Sequence, residues 1–127
     1  MMLSSIDVYN EVIKSLKKLN WKVNTRRQEQ LRPKECYVII SGIDPTPETT
    51  DSYLRKVICI IGYTIDDPIN IVDRTDDFLQ IVESDVMNSG VTDCTSFMFE
   101  KTNFFDNGGT MIRVEQEFSF RRFVQHG

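Results

Sequence analysis

The apolar run Val57-Ile58-Cys59-Ile60-Ile61, in the middle of the stretch from Tyr53 to Ile65, constrains the fold more than any other feature of the chain. A strand wetted on one side alternates apolar and polar residues, whereas one apolar on both sides is covered on both. Its β-branched content makes the stretch a strand, and its two-sided hydrophobicity places that strand centrally in a sheet. The run is far shorter than the roughly 20 residues needed to cross a bilayer as a helix. The opening Met1-Met2-Leu3-Ser4-Ser5-Ile6-Asp7 reaches an acid before any signal-like apolar stretch forms. The expectation is a protein neither exported by a cleaved signal nor inserted in a membrane.

A central strand needs neighbours and cover, and the sequence supplies both. Cys36 to Ser41 reads as a strand ending at Gly42, and Asp44 to Asp51, with Pro45 and Pro47, reads as a long exposed connection. Ser4 or Ser5 can cap a helix whose apolar residues Val8, Val12, Leu16 and Leu19 recur every three or four positions, widened by Tyr9 and Ile13. Glu11, Lys14, Ser15 and Lys18 fall on its other side. Trp21-Lys22-Val23 follows as a short extended piece, and Asn24 to Glu35 as a basic loop around Pro33. A second helix from about Asn70 to Met87 buries Ile71, Thr75, Phe78, Leu79, Val82 and Val86, leaves Asp73, Asp76, Asp77, Gln80 and Glu83 wet, and stops at Gly90.

The last third reads as a hairpin. Asp106-Asn107-Gly108-Gly109 is a tight-turn signal, with Asn107-Gly108 suited to the two positive φ values of a type I′ turn. If Asp106 faces Gly109, Phe97 lies opposite Phe118, Phe99 opposite Gln116 and Lys101 opposite Val114, with Ile112 and Phe120 on the same inward side. That register also sets Glu100 against Glu115, a mild conflict. Met111, Arg113, Glu115, Glu117, Ser119, Arg121 and Phe123 then form a mixed, partly exposed outer face.

The order is helix, strand, strand, helix, strand, strand. It predicts an α+β two-layer sandwich, a mostly antiparallel four-stranded sheet with two helices on one face. At 127 residues the chain is one domain, its core spanning about 5–124 with a short tail at 125–127, and the 40% hydrophobic content is enough for a packed core without metal or disulfide staples.

Cys36, Cys59 and Cys94 are odd in number and widely spaced, which favours a reducing compartment, and His126, the one histidine, stands next to the end of the sequence. A Cys-His or Ser-His-Asp centre therefore has no base inside the fold. Without C-x-x-C or H-x-x-x-H spacing there is no zinc set. Asp66, Asp67, Asp73, Asp76 and Asp77 are dense enough for magnesium on paper, but Asp73, Asp76 and Asp77 fall on the solvated face of the second helix. Neither phosphate-loop glycine pattern is present, and no RNA-binding motif is either. The expectation is no catalytic residue, no metal and no cofactor.

Charge is uneven. Residues 1–35 hold eight Lys or Arg against four acids, and residues 36–127 hold seven against fifteen. Two solvated faces account for this; so does a subunit whose basic side meets a neighbour's acidic side. On the second reading Arg26, Arg27, Arg32 and Lys34 form one surface, and Asp73, Asp76 and Asp77, or Glu115 and Glu117, the other. The same arginines also offer a local phosphate contact.

The opening "IDVYNEVIKSLKKLNWKV", the strands "CYVIIS" and "RKVICIIGYTID", the helix "IVDRTDDFLQIVESDV" and the closing "VEQEFSFRRFV" follow one another in an order that resembles the small tail-terminator and tail-completion proteins of tailed phages, especially those of Gram-positive hosts. The resemblance rests on order and pattern over residues 5–124. It implies a structural virion protein, formed in the host cytoplasm, that assembles with itself into a hexameric ring. Such a ring caps the tail tube and joins it to the neck or connector, next to the sheath where the tail contracts. DNA would be met only as it passes through the ring lumen. The family has no catalytic residues to carry over. Other readings are another head-completion or neck connector subunit, and a small RNA-binding or regulatory module.

Overall fold

The computed structural model describes residues 5–44, 54–89, 97–106, 108–109 and 111–123. In chain order the elements are α1 (Ser5–Lys18), β1 (Lys22–Asn24), β2 (Glu35–Asp44), β3 (Leu54–Ile65), α2 (Ile71–Asn88), β4 (Phe97–Phe105) and β5 (Ile112–Phe123). The strands form one five-stranded sheet in the order β1-β2-β3-β5-β4. The architecture is α+β with a mixed sheet: β1 pairs in parallel with β2, and the other neighbours are antiparallel. This corrects the expected four strands, because the short piece after α1 joins the sheet rather than ending as a connector. Among the described residues no helix is long and apolar enough to cross a membrane.

Helix α1 stops for a local reason. Asn20 takes φ 68°, the Asn20 N–H donates to the Lys17 carbonyl, and the Trp21 N–H donates to the Leu16 carbonyl. This is the left-handed close of a Schellman motif, which satisfies carbonyls that the last turn would leave open. It also drops Trp21 onto Tyr63 and Phe78, with ring centroids 5.7 and 5.5 Å away. At the other end of the chain's helical content, the Ser89 hydroxyl donates to the Val86 carbonyl at 2.6 Å and closes α2. Gly90, expected to end that helix, lies outside the described residues.

Both stripes pack on one sheet face. Val8, Val12 and Leu16 of α1 and Val82 and Val86 of α2 meet Cys36, Val38, Cys59, Ile61, Phe118 and Phe120 from the strands. Ser15, expected on the wet side of α1, is buried instead; its hydroxyl donates to Asp85 on α2 at 2.9 Å, so the residue serves the helix–helix contact. Strand β3, the two-sided apolar run, is flanked by β2 and β5 as expected of a central strand. Strand β2 continues through Gly42 to Asp44 because a bulge between Ile40 and Gly42 absorbs the irregularity.

The hairpin exists, but its register differs from the expected one. Phe97 pairs with Phe120, Phe99 with Phe118, Lys101 with Glu117 and Phe105 with Arg113, so the connection is longer than a two-residue turn. A bulge between Phe99 and Lys101 inserts Glu100. One extra residue moves everything beyond it to the opposite face, which is why Lys101 sits outside while Phe97 and Phe99 remain inward. The feared pairing of Glu100 with Glu115 does not occur: Glu100 contacts Lys56 and accepts from the Ser119 hydroxyl at 3.1 Å. Gly108 does take a positive φ of 84°, and its N–H donates to Asp106 Oδ1 at 2.9 Å; Asn107 lies outside the described residues.

Candidate functional site

Alternation sends Val114 and Gln116 of β5 toward the helices, so Glu115 points to the back of the sheet. In the ladder Tyr37 stands beside Gly62, and Gly62 beside Glu115. These residues make a row across β2, β3 and β5 with no side chain at its centre. The Tyr37 ring lies across that gap, since a Cβ at Gly62 would meet it at under 3.0 Å. The phenol thereby reaches two strands over and donates to Glu115 Oε1 at 2.5 Å.

The loop at 25–34 folds over this row. Arg27 Nη1 stands 3.0 Å from the same Glu115 oxygen, and Arg113 donates back to the Glu29 carbonyl. Both guanidinium carbons lie 5.9 Å from the centre of the Tyr37 ring, within cation–π range. Tyr37 is wholly buried and Glu115 nearly so. The outer face expected to be partly open is therefore covered here, because β1 runs parallel to β2 and its connection must cross the sheet. Burial first, and then the hydrogen bond to the Glu115 carboxylate, pushes the Tyr37 phenol up to about 12. A phenol held neutral in this way is a structural donor at physiological pH and not an acid–base group.

Beside the row opens a cleft of about 690 Å³ lined by Arg27, Glu29, Phe104, Phe105, Asp106, Arg113 and Glu115. Phe104 and Phe105 come from β4, the end strand of the sheet, and both are exposed. Arg27 is held by Glu115, while no cation among the described residues is paired with Glu29 or Asp106. The cleft thus offers two carboxylates outside any such pair, two aromatic rings and the Arg113 guanidinium, which the Glu29 carbonyl holds. Sequence reasoning did not find Tyr37, Gly62, Arg113, Phe104 or Phe105. The available signal was Gly62 inside an otherwise apolar strand, which marks close approach by another group.

The residues proposed from sequence separate into distinct places. Arg27 and Glu115, assigned to opposite surfaces of two subunits, meet within one chain. Arg26 and Arg32 are exposed, and Lys34, at φ 62°, sets its ammonium 5.0 Å above the Trp21 ring. Asp73, Asp76 and Asp77 are exposed along α2. Arg74 turns back to Asp66 at 3.3 Å and Asp67 at 3.9 Å. Glu117 stands 3.8 Å from Lys101. Among the described residues no group of three or more His, Cys, Asp or Glu side chains is placed to hold a metal ion. Burial pushes the Cys36 and Cys59 thiols up to about 12, which keeps them protonated; Cys94 and His126 lie outside the described residues. No protein-family model and no curated protein matches the chain.

Proposed function

We propose that the chain is a non-catalytic virion assembly subunit, a ring-forming tail terminator that caps a phage tail tube and joins it to the neck. The observation that carries the reading is the free end of the sheet. Among the described residues strand β4 has a neighbour on one side only, and Met98, Phe104 and Phe105 on it are 42%, 44% and 49% exposed. An open strand edge with exposed aromatics is a template for association unless something covers it; the bulge at Glu100 and the charge of Lys101 blunt the middle of β4, which leaves Phe104 and Phe105 as the apolar end of that edge. The buried, protonated thiols and the Tyr37 phenol give no nucleophile or base at neutral pH, which agrees with a binding role.

The basic loop supports this reading better than a nucleic-acid one. Arg27 is half exposed, but its charge is already matched by Glu115, so a phosphate contact through the loop would have to compete with an existing ion pair. The test is native mass by light scattering, with and without purified tail tubes, followed by electron microscopy of the mixture. Closed rings of uniform size, seated at the tube ends, are the expected result. A protein that stays monomeric at high concentration and alongside tubes overturns the proposal.

A further inference from the structure

The two ends of the sheet carry opposite chemistry. At the β4 end, Glu29 and Asp106 stand with Phe104 and Phe105 around the cleft. Of its two arginines Arg27 is matched by Glu115 and Arg113 is held by the Glu29 carbonyl, and neither Glu29 nor Asp106 has an ion-paired cation among the described residues, which leaves the cleft one negative charge in excess. At the β1 end, Lys17 closes α1, Lys22 lies in β1, and Arg32 and Lys34 precede β2. Glu35 pairs with Lys22 at 3.5 Å, but no carboxylate among the described residues forms an ion pair with Lys17, Arg32 or Lys34. Lys34 lies instead over Trp21, extending the basic end with an aromatic surface.

We infer that the occupant of the β4 edge and its cleft is the β1 end of a second copy of this chain, a contact that rests on the ring reading above. Charge complementarity selects the occupant: exposed cations of one copy meet the carboxylates and aromatic rings of the next, a setting that favours Lys and Arg by ion pairing and by cation–π attraction together. Topology selects the direction. β1 and β4 are the two end strands of one sheet, so a contact between them is head to tail, and such contacts close into rings when the rotation between copies divides a full turn. This places the interface on Lys17, Arg32 and Lys34 against Glu29 and Asp106, and removes Arg27 and Glu115 from it because they satisfy each other inside the subunit.

The experiment uses two reversed chains. One carries Glu29→Lys with Asp106→Lys, the other Lys17→Glu with Arg32→Glu. Each alone presents like charges at every junction and is expected to run as a monomer at concentrations where the wild type assembles. An equimolar mixture matches every junction in an alternating ring and is expected to recover the wild-type mass. Either variant assembling alone like the wild type overturns the inference, as does a mixture that stays monomeric. In both cases the wild-type ring, and the functional reading with it, is untouched. A wild type that never assembles overturns both. Zero-length carbodiimide cross-linking of the wild type guards against variants that fail to fold. Links from Glu29 or Asp106 to Lys17 or Lys34, found in the oligomer band by mass spectrometry, are expected, and their absence from that band counts against the interface.

Discussion

Replacing Gly62 with alanine adds one methyl group, and the fold determines how much that group costs. In an open strand the change would stabilise by about 0.5–1 kcal/mol, because glycine loses more backbone freedom on folding than alanine. Here the new Cβ would fall at under 3.0 Å from Cζ, Cε2 and Oη of Tyr37, a ring with no exposed surface into which to retreat. Overpacking of this kind costs about 1–3 kcal/mol. If the ring is displaced, the Tyr37 bond to a carboxylate is lost as well, a further cost of about 1.5–3 kcal/mol. The net expectation is a loss of about 3 kcal/mol, after subtracting the backbone gain. Urea unfolding followed by the fluorescence of Trp21, the single tryptophan, measures it. The decisive comparison is the same substitution in a Tyr37→Ala background, where the methyl meets no ring and the sign should reverse to neutral or slightly stabilising. An equal cost in both backgrounds would refute the reasoning, since the penalty would then belong to the strand and not to the ring.

Glu115→Gln keeps an acceptor for the Tyr37 phenol and should cost about 1 kcal/mol, whereas Glu115→Leu strands the buried phenol and should cost about 2–3 kcal/mol by urea midpoint, with half-exposed Arg27 left to water. Tyr37 rises from 10.0 to about 12 on folding, and Cys36 and Cys59 from 9.0 to about 12. All three are acids whose charged form is disfavoured in the fold, so their contribution is complete below the unfolded values and is lost as pH climbs through the folded ones. Stability should be flat to about pH 9 on their account and fall steadily from there toward 12; an unchanged urea midpoint at pH 11 would contradict this. Gly108→Val should cost about 1 kcal/mol or more through its φ of 84° alone, because a Cβ there meets nothing within 4 Å, and Gly108→Asn should cost less.

What could be read from sequence was whatever a short window encodes. The stripe of Val8, Val12 and Leu16 and that of Thr75, Val82 and Val86 follow from helical period, and all six residues are buried. The central place of β3 follows from its apolar run. The hairpin was legible as a hairpin but not in register, because the Glu100 bulge leaves no mark on the alternation of Phe97 and Phe99 before it. The candidate site was mostly illegible for a related reason. Tyr37, Gly62 and Glu115 are neighbours only through two strand pairings, and Arg27 finds Glu115 far along the chain. Counting charges in the basic loop identified Arg27 as notable but assigned its partner to another subunit.

The order of the strands also bears on when the molecule becomes competent. Strand β5 is the last described strand to leave the ribosome, yet it occupies an interior position between β3 and β4. Until it inserts, β4 has no partner in the sheet, and the 25–34 loop lacks both Glu115 to hold Arg27 and Arg113 to hold Glu29. The N-terminal third thus cannot take its final shape before residues 112–123 are made. A nascent or truncated chain lacks the finished β4 edge and its cleft, so any surface they offer exists only once residues 112–123 are made.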